Sequence, residues 1–262
     1  MKQYLLKYGS IAVVILISGT TAHAGSQAHA EPQFEAEQVI SFSKKVEKEV
    51  AAKGARVFLL ARAGRPSSEM PEGFHYTHVG FGVYSMIKTA DGREIPGYAI
   101  YNLYQDEEKL NRSHLVVDYP ADFFAGVYQM KAAVVIPKPE LQKRLLEVIA
   151  SDTYKSLHNP SYSVLASPYN NKYQNCTEHT LDVINAAIYK TTDIKVIKAN
   201  TNAYFEAQRV NLSPLKLFIG SLTKADVTTS DHQGKVATAS FTTIAKYMEK
   251  YNLIQEQMVI TQ

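Results

Sequence analysis

The spacing of apolar residues changes several times along the chain, and each change marks an element. Val39, Phe42, Val46 and Val50 recur every three or four positions, which predicts an amphipathic helix over 35–53 that Gly54 closes. A continuous apolar run over 56–61 predicts a short strand. From Phe74 to Tyr84, aromatic and β-branched residues alternate with Gly80 and Gly82, a strand pattern. Ala90-Asp91-Gly92-Arg93 is a turn signal, so 77–85 and 96–105 predict a β-hairpin. Further on come an apolar stretch at 115–117, a helical turn at 120–125 and strands at 130–136 and 161–165. Pro139 opens a helix that runs to about Ile149. Helices over 193–205, 213–223 and 240–252 complete the pattern, the second opened by Ser213-Pro214. Hairpin strands mixed with segregated helices define an α+β fold.

The most chemically specific element starts at Cys176. Leu181, Val183, Ile184, Ala187 and Ile188 have helical spacing, Asn175 is an N-cap residue, and Glu178 stands three positions later, as in a capping box. Cys176 is then the first helical residue. Backbone N–H groups there lack intrahelical partners and the helix dipole is positive, which favours a thiolate and offers donors to an oxyanion. Two histidines are candidate bases. His179 shares a helix face with Cys176 but is poorly placed to reach over its N-terminus. His78 lies on the predicted strand, with Gly80 and Gly82 on its face, where missing side chains would let a helix approach closely. A third residue that orients the imidazole belongs on the second hairpin strand. A two-residue turn pairs position 78 with 105 and puts Gln105 on the His78 face; one extra turn residue puts Asn102 there instead. Asn102 is the chemically familiar orienter, and Gln105 stays as the second candidate. Asn170, six residues before the thiol, is a possible oxyanion donor, and Arg62 and Arg65 are possible partners for an acidic group.

Cys176 is the only cysteine, which bears on where the protein works. Residues 1–24 read as a secretory signal: Lys2 and Lys7, a short apolar core at Ile11–Ile17, and the cleavage site Ala22-His23-Ala24, with Ala28-His29-Ala30 as a second possibility. That reading leaves 25–262 as a single domain in the periplasm or secreted, where a lone cysteine remains a free thiol. The apolar core is too short for a membrane span, and no later segment is long enough. The formal charge of +3 falls to +1 once Lys2 and Lys7 are removed, and no basic stripe marks a nucleic-acid surface. Phosphate loops, His-x-x-x-His pairs and Cys-x-x-Cys pairs are missing, so no cofactor and no metal site are expected. The 17 tyrosines and absent tryptophan point to aromatic surface as well as core.

His78-Val79-Gly80 on a strand, followed much later by Asn175-Cys176-x-x-His179 opening a helix, resembles the circularly permuted papain-like proteins. These include NlpC-type peptidases and lecithin:retinol acyltransferase-like enzymes. The resemblance is closest to the domain of unknown function 2145 family, exported bacterial proteins. It extends over most of the chain, including Gly97–Tyr104 and Thr228–His232. It implies a papain-like antiparallel sheet with a packed nucleophile helix and extra C-terminal helices, Cys176 as nucleophile and His78 as base. The hairpin's second strand has no second histidine, unlike the acyltransferase-like branch. Two functions follow as expectations. One is a cysteine hydrolase or acyl transferase acting on an amide or ester, with a peptide, glycan or acyl substrate of the cell envelope and cell-wall peptide first. The other is a catalytically inactive envelope binding or assembly protein on the same fold.

Overall fold

Two kinds of apolar period build three layers, seen in a computed structural model that describes residues 33–89, 91–210 and 227–262. The predicted signal and the predicted helix at 213–223 lie outside the described residues. In chain order the elements are α1 (Ala36–Ala52), β1 (Val57–Arg62), β2 (His78–Lys88), β3 (Glu94–Gln105), β4 (Ser113–Asp118) and α2 (Pro120–Ala125). Then come β5 (Lys131–Pro137), α3 (Pro139–Ile149), α4 (Asp152–Ser156), α5 (Cys176–Tyr189) and α6 (Ile194–Tyr204). The chain ends with β6 (Gln208–Arg209), β7 (Ala237–Thr238), α7 (Phe241–Lys250) and β8 (Ile254–Thr261). Six strands form one sheet in the order β4-β3-β2-β1-β5-β8, every neighbouring pair antiparallel. The fold is α+β. β6 and β7 form a separate small ribbon.

The central strand β1 is buried along its whole length, because helices cover both faces of the sheet. Val57, Leu59 and Ala61 join Val79, Phe81 and Val83 in a core with α3, α5, α6 and α7. Phe58 and Leu60 join Ile100, Val134 and Ile136 in a second core with α1 and α2. That two-sided burial explains why 56–61 reads as an unbroken apolar run rather than an alternating one.

Three expectations change. Gly80 and Gly82 do not admit a helix. A Cβ on Gly80 would lie 2.5 Å from Asn102 Oδ1, and one on Gly82 would lie 2.2 Å from the Phe58 ring. The missing side chains make room for neighbours within and beneath the sheet. Residues 161–165 form no strand, only isolated bridges from Ser161 to Arg112 and from Tyr162 to Gln174. The last predicted helix stops at Lys250, Asn252 turns the chain at φ +56, and β8 follows along β5.

Candidate active site

The β2–β3 hairpin sets the first half of the site. Thr89 N–H donates to Arg93 C=O, so the loop between them has three residues, and Gly92 takes φ +83 there. This is the turn one residue longer than the minimum. The register pairs Gly80 with Asn102. Asn102 therefore shares the His78 face. Gln105 points to the other face, where its Nε2 donates to Leu110 C=O at 2.7 Å.

Asn102 Nδ2 donates to Ile100 C=O at 2.9 Å and to Asp118 Oδ2 at 3.2 Å. Its Oδ1 is thus the acceptor toward His78 Nε2, 3.1 Å away. The imidazole donates from Nε2 and keeps the lone pair on Nδ1. Its ring stacks on Tyr104, centroids 4.7 Å apart, and leans on Phe123 at 5.6 Å. Tyr104 hydroxyl donates to Asp118, which completes a chain from phenol to carboxylate to amide to imidazole. Burial holds the His78 pKa well below the usual histidine range; the Arg62 charge adds to this and the Asn102 bond opposes it. His78 is neutral at physiological pH.

Arg62 is the strand partner of His78 and is buried. Its guanidinium lies 5.3 Å from the centre of the Phe123 ring, and its Nε has no hydrogen-bond partner. Sequence alone placed Arg62 beside a loop as a candidate for an acidic group. The structure makes it an internal cation whose field reaches His78, Cys176, Tyr104 and Asp118.

Cys176 opens α5 as the spacing predicts. Asn175 Oδ1 accepts the Glu178 N–H at 2.9 Å. The return arm of the capping box is not made. Glu178 turns instead to Lys198, whose Nζ stands 2.6 Å from Glu178 Oε1 and 2.8 Å from Asp182 Oδ1. This buried cluster was not legible in sequence, because Lys198 comes from α6. Gln174 Nε2 also donates to Asp182 at 3.0 Å, which ties the segment entering α5 to the helix body. Burial raises Glu178 well above the carboxylate range, and Lys198 opposes the rise.

The thiol departs from the expectation of a lowered pKa. Burial pushes the Cys176 thiol up; the N–H groups of Val79, Thr177 and Cys176 itself and the Arg62 charge pull it down without prevailing. The Val79 N–H places the sulfur beside the residue that follows His78. Among the described residues no hydrogen bond joins Cys176 to His78 or to His179. Both groups are neutral at rest, and they lie on different sides of β2: the His78 ring stands with Tyr104 and Phe123 on the α2 side, and Cys176 packs on the core under α5. Asn170 is taken up by a turn, with Nδ2 donating to Asp231 C=O at 2.8 Å and Oδ1 accepting the Lys172 N–H at 3.0 Å. His232 is held by Leu165 C=O at 2.7 Å. Among the described residues no group of three or more His, Cys, Asp or Glu side chains is arranged to hold a metal ion. None of their helices is long and apolar enough to cross a membrane.

Residues 49–248, most of the chain, match the model of a family described as an uncharacterized protein conserved in bacteria, DUF2145. The chain belongs to the DUF2145 family. Comparison with curated proteins and with solved structures finds no match. The matched region of this DUF2145 protein contains Arg62, His78, Asn102, Asp118 and Cys176.

Proposed function

We propose that this DUF2145 protein is a cysteine hydrolase or acyl transferase acting on an amide or ester bond, on a permuted papain-like fold. The carrying observation is the junction of β2 and α5. Cys176 packs against the core that Val79 shares, and Val79 follows His78 along β2, whose imidazole Asn102 holds by Nε2. The order of histidine strand before cysteine helix supports the papain-like relationship. With both groups neutral at rest, His78 works as a general base during attack rather than as half of a standing ion pair. Sγ bonds the carbonyl carbon as its proton passes to His78 Nδ1 through a water at the start of β2, where the two sides of the sheet meet. The oxyanion falls among the N–H groups at the start of α5. Collapse breaks the C–N or C–O bond, and the imidazolium returns its proton to the leaving group. Water, or an acceptor hydroxyl or amine, then releases the acyl group with His78 as base again. Export by residues 1–24 puts this chemistry in the periplasm or outside the cell.

p-Nitrophenyl butyrate tests the reading. The expected result is a butyryl adduct on Cys176 by peptide mass spectrometry, lost in Cys176→Ser. His78→Gln should slow acylation by about 100-fold or more, the usual worth of general-base help. An unchanged rate in His78→Gln would remove the assigned base. The raised thiol pKa favours a second reading, a binding protein that keeps the fold. Failure of any acylation at Cys176 in the folded protein would decide for it.

A further inference from the structure

Cys176 lines a cleft whose walls come from the loop before β2, the segment before α5 and the β7–α7 junction. Met70, Phe74, Tyr76, Val164, Leu165 and Ala239 are among the residues that line it. None of the described residues that line it is charged. Asn175, Thr177, Thr238, Ser240 and Thr77 make their hydrogen bonds within the protein, which leaves the hydroxyls of Tyr76 and Tyr162 as the cleft's other polar side-chain groups. Asn175 Oδ1 accepts from Glu178 N at 2.9 Å, and its Nδ2 donates to Val164 C=O at 3.0 Å. Thr177 Oγ1 lies 2.8 Å from Ala239 C=O, and Thr238 Oγ1 donates to Ala166 C=O at 2.8 Å. Ser240 Oγ accepts the Thr243 N–H at 3.1 Å, and Thr77 Oγ1 accepts the Gly64 N–H at 2.8 Å. A charged group entering this cleft would lose its water and find no ion-pairing side chain on its walls, the buried Arg62 charge and Lys131 over the Tyr76 ring lying behind them. An apolar group would lose nothing polar and would gain contact with the walls.

We infer that the cleft takes an uncharged, apolar substituent next to the scissile carbonyl, an aliphatic or aromatic acyl group, and selects against charged peptides. The inference rests on Cys176 being the nucleophile. It moves the substrate class away from cell-wall peptide, whose acidic and basic side chains the cleft does not accommodate.

Three chloroacetamides with tails of similar length test it: N-hexyl, N-(5-carboxypentyl) and N-(6-aminohexyl). Each alkylates the thiol by displacement, with the Sγ–C bond forming, chloride leaving and the thiol proton lost to His78 or solvent. Rates on the folded protein are divided by those on N-acetylcysteine, and iodoacetamide serves as the tail-less reference. The hexyl compound should react at least about tenfold faster than either charged one, because only the charged tails give up hydration without an ion-pair partner. Phe74→Glu and Met70→Glu, both on the partly exposed loop at the cleft wall, should cut that preference once each rate is divided by the same variant's iodoacetamide rate. Equal rates for all three tails, with iodoacetamide labelling intact, would overturn the inference and leave the nucleophile standing. Faster reaction with a charged tail would overturn it in favour of a charged peptide. Labelling by any reagent only after denaturation would remove the nucleophile and the inference together. The ranking on the wild-type protein decides the matter even where a variant fails to fold.

Discussion

His179 shares a helix face with Cys176, yet its ring turns away to Tyr154 and His158, 4.9 and 6.2 Å between centroids. Neither ring nitrogen has a hydrogen-bond partner. Burial, helped by His158, holds its pKa down to about 3. The unfolded chain takes up that proton near pH 6.5, the folded chain only near 3. The unfolded state therefore binds more protons between these values, and folding loses stability as pH falls through them, by up to about 1.4 kcal/mol per pH unit. His179→Phe removes the linkage and keeps the edge contact with Tyr154. Urea unfolding at pH 7 and pH 4.5 should show the wild type losing stability relative to the variant by about 2–3 kcal/mol. His78 and His158, also lowered, and Glu178 and Asp182, raised, titrate in both proteins, so the difference isolates His179. A constant gap between the two proteins would mean that His179 is not held neutral. The contrast with Cys176 shows what a sequence encodes at this scale. Its place at the first turn of α5 was readable, because capping is written in adjacent residues. Its pKa was not, because the burial that sets it comes from strands about a hundred residues away.

At the scale of elements, the hairpin decides whether His78 has an orienting partner. Its strands were visible in the sequence, and the choice between Asn102 and Gln105 depended on one residue of turn length. Gly82→Ala would push a methyl into the Phe58 ring. It should cost about 1–3 kcal/mol in chemical denaturation, the usual range for an overpacked core. Gly80→Ala meets Asn102 Oδ1 and the Tyr101 carbonyl instead, at 2.5 and 2.9 Å. It should also slow butyryl transfer to Cys176, because Asn102 must leave His78 to admit the methyl. Equal effects of the two variants on transfer would separate the glycines from the site. β8 is masked in the sequence for a different reason. Ile254, Met258 and Ile260 keep the strand period, but Glu256 interrupts it at an inward position, where it pairs with Lys53 at 2.7 Å. A salt bridge to another element looks, in sequence, like a polar break.

For the molecule as a whole, the fold class was legible and its three layers were not, since nothing local says that α1 and α5 lie on opposite faces of one sheet. The export reading also belongs at this scale. N-terminal sequencing of the protein recovered from a bacterial envelope fraction should begin at Gly25, or at Glu31 if the second site is used. A retained Met1 would overturn it. The sheet has one further consequence, in time rather than space. β8 lies beyond residue 248, where the family match ends, and is made after every strand it completes. Its ends reach back to the first helix: Lys45 Nζ donates to Thr261 C=O at 2.7 Å, and Gln255 Nε2 donates to Lys53 C=O at 3.4 Å. Until those residues emerge, β5 has a bare edge that any passing strand could occupy. β8 acts as a clasp on the β5 edge, and the growing polypeptide is most vulnerable to a wrong partner before that strand arrives.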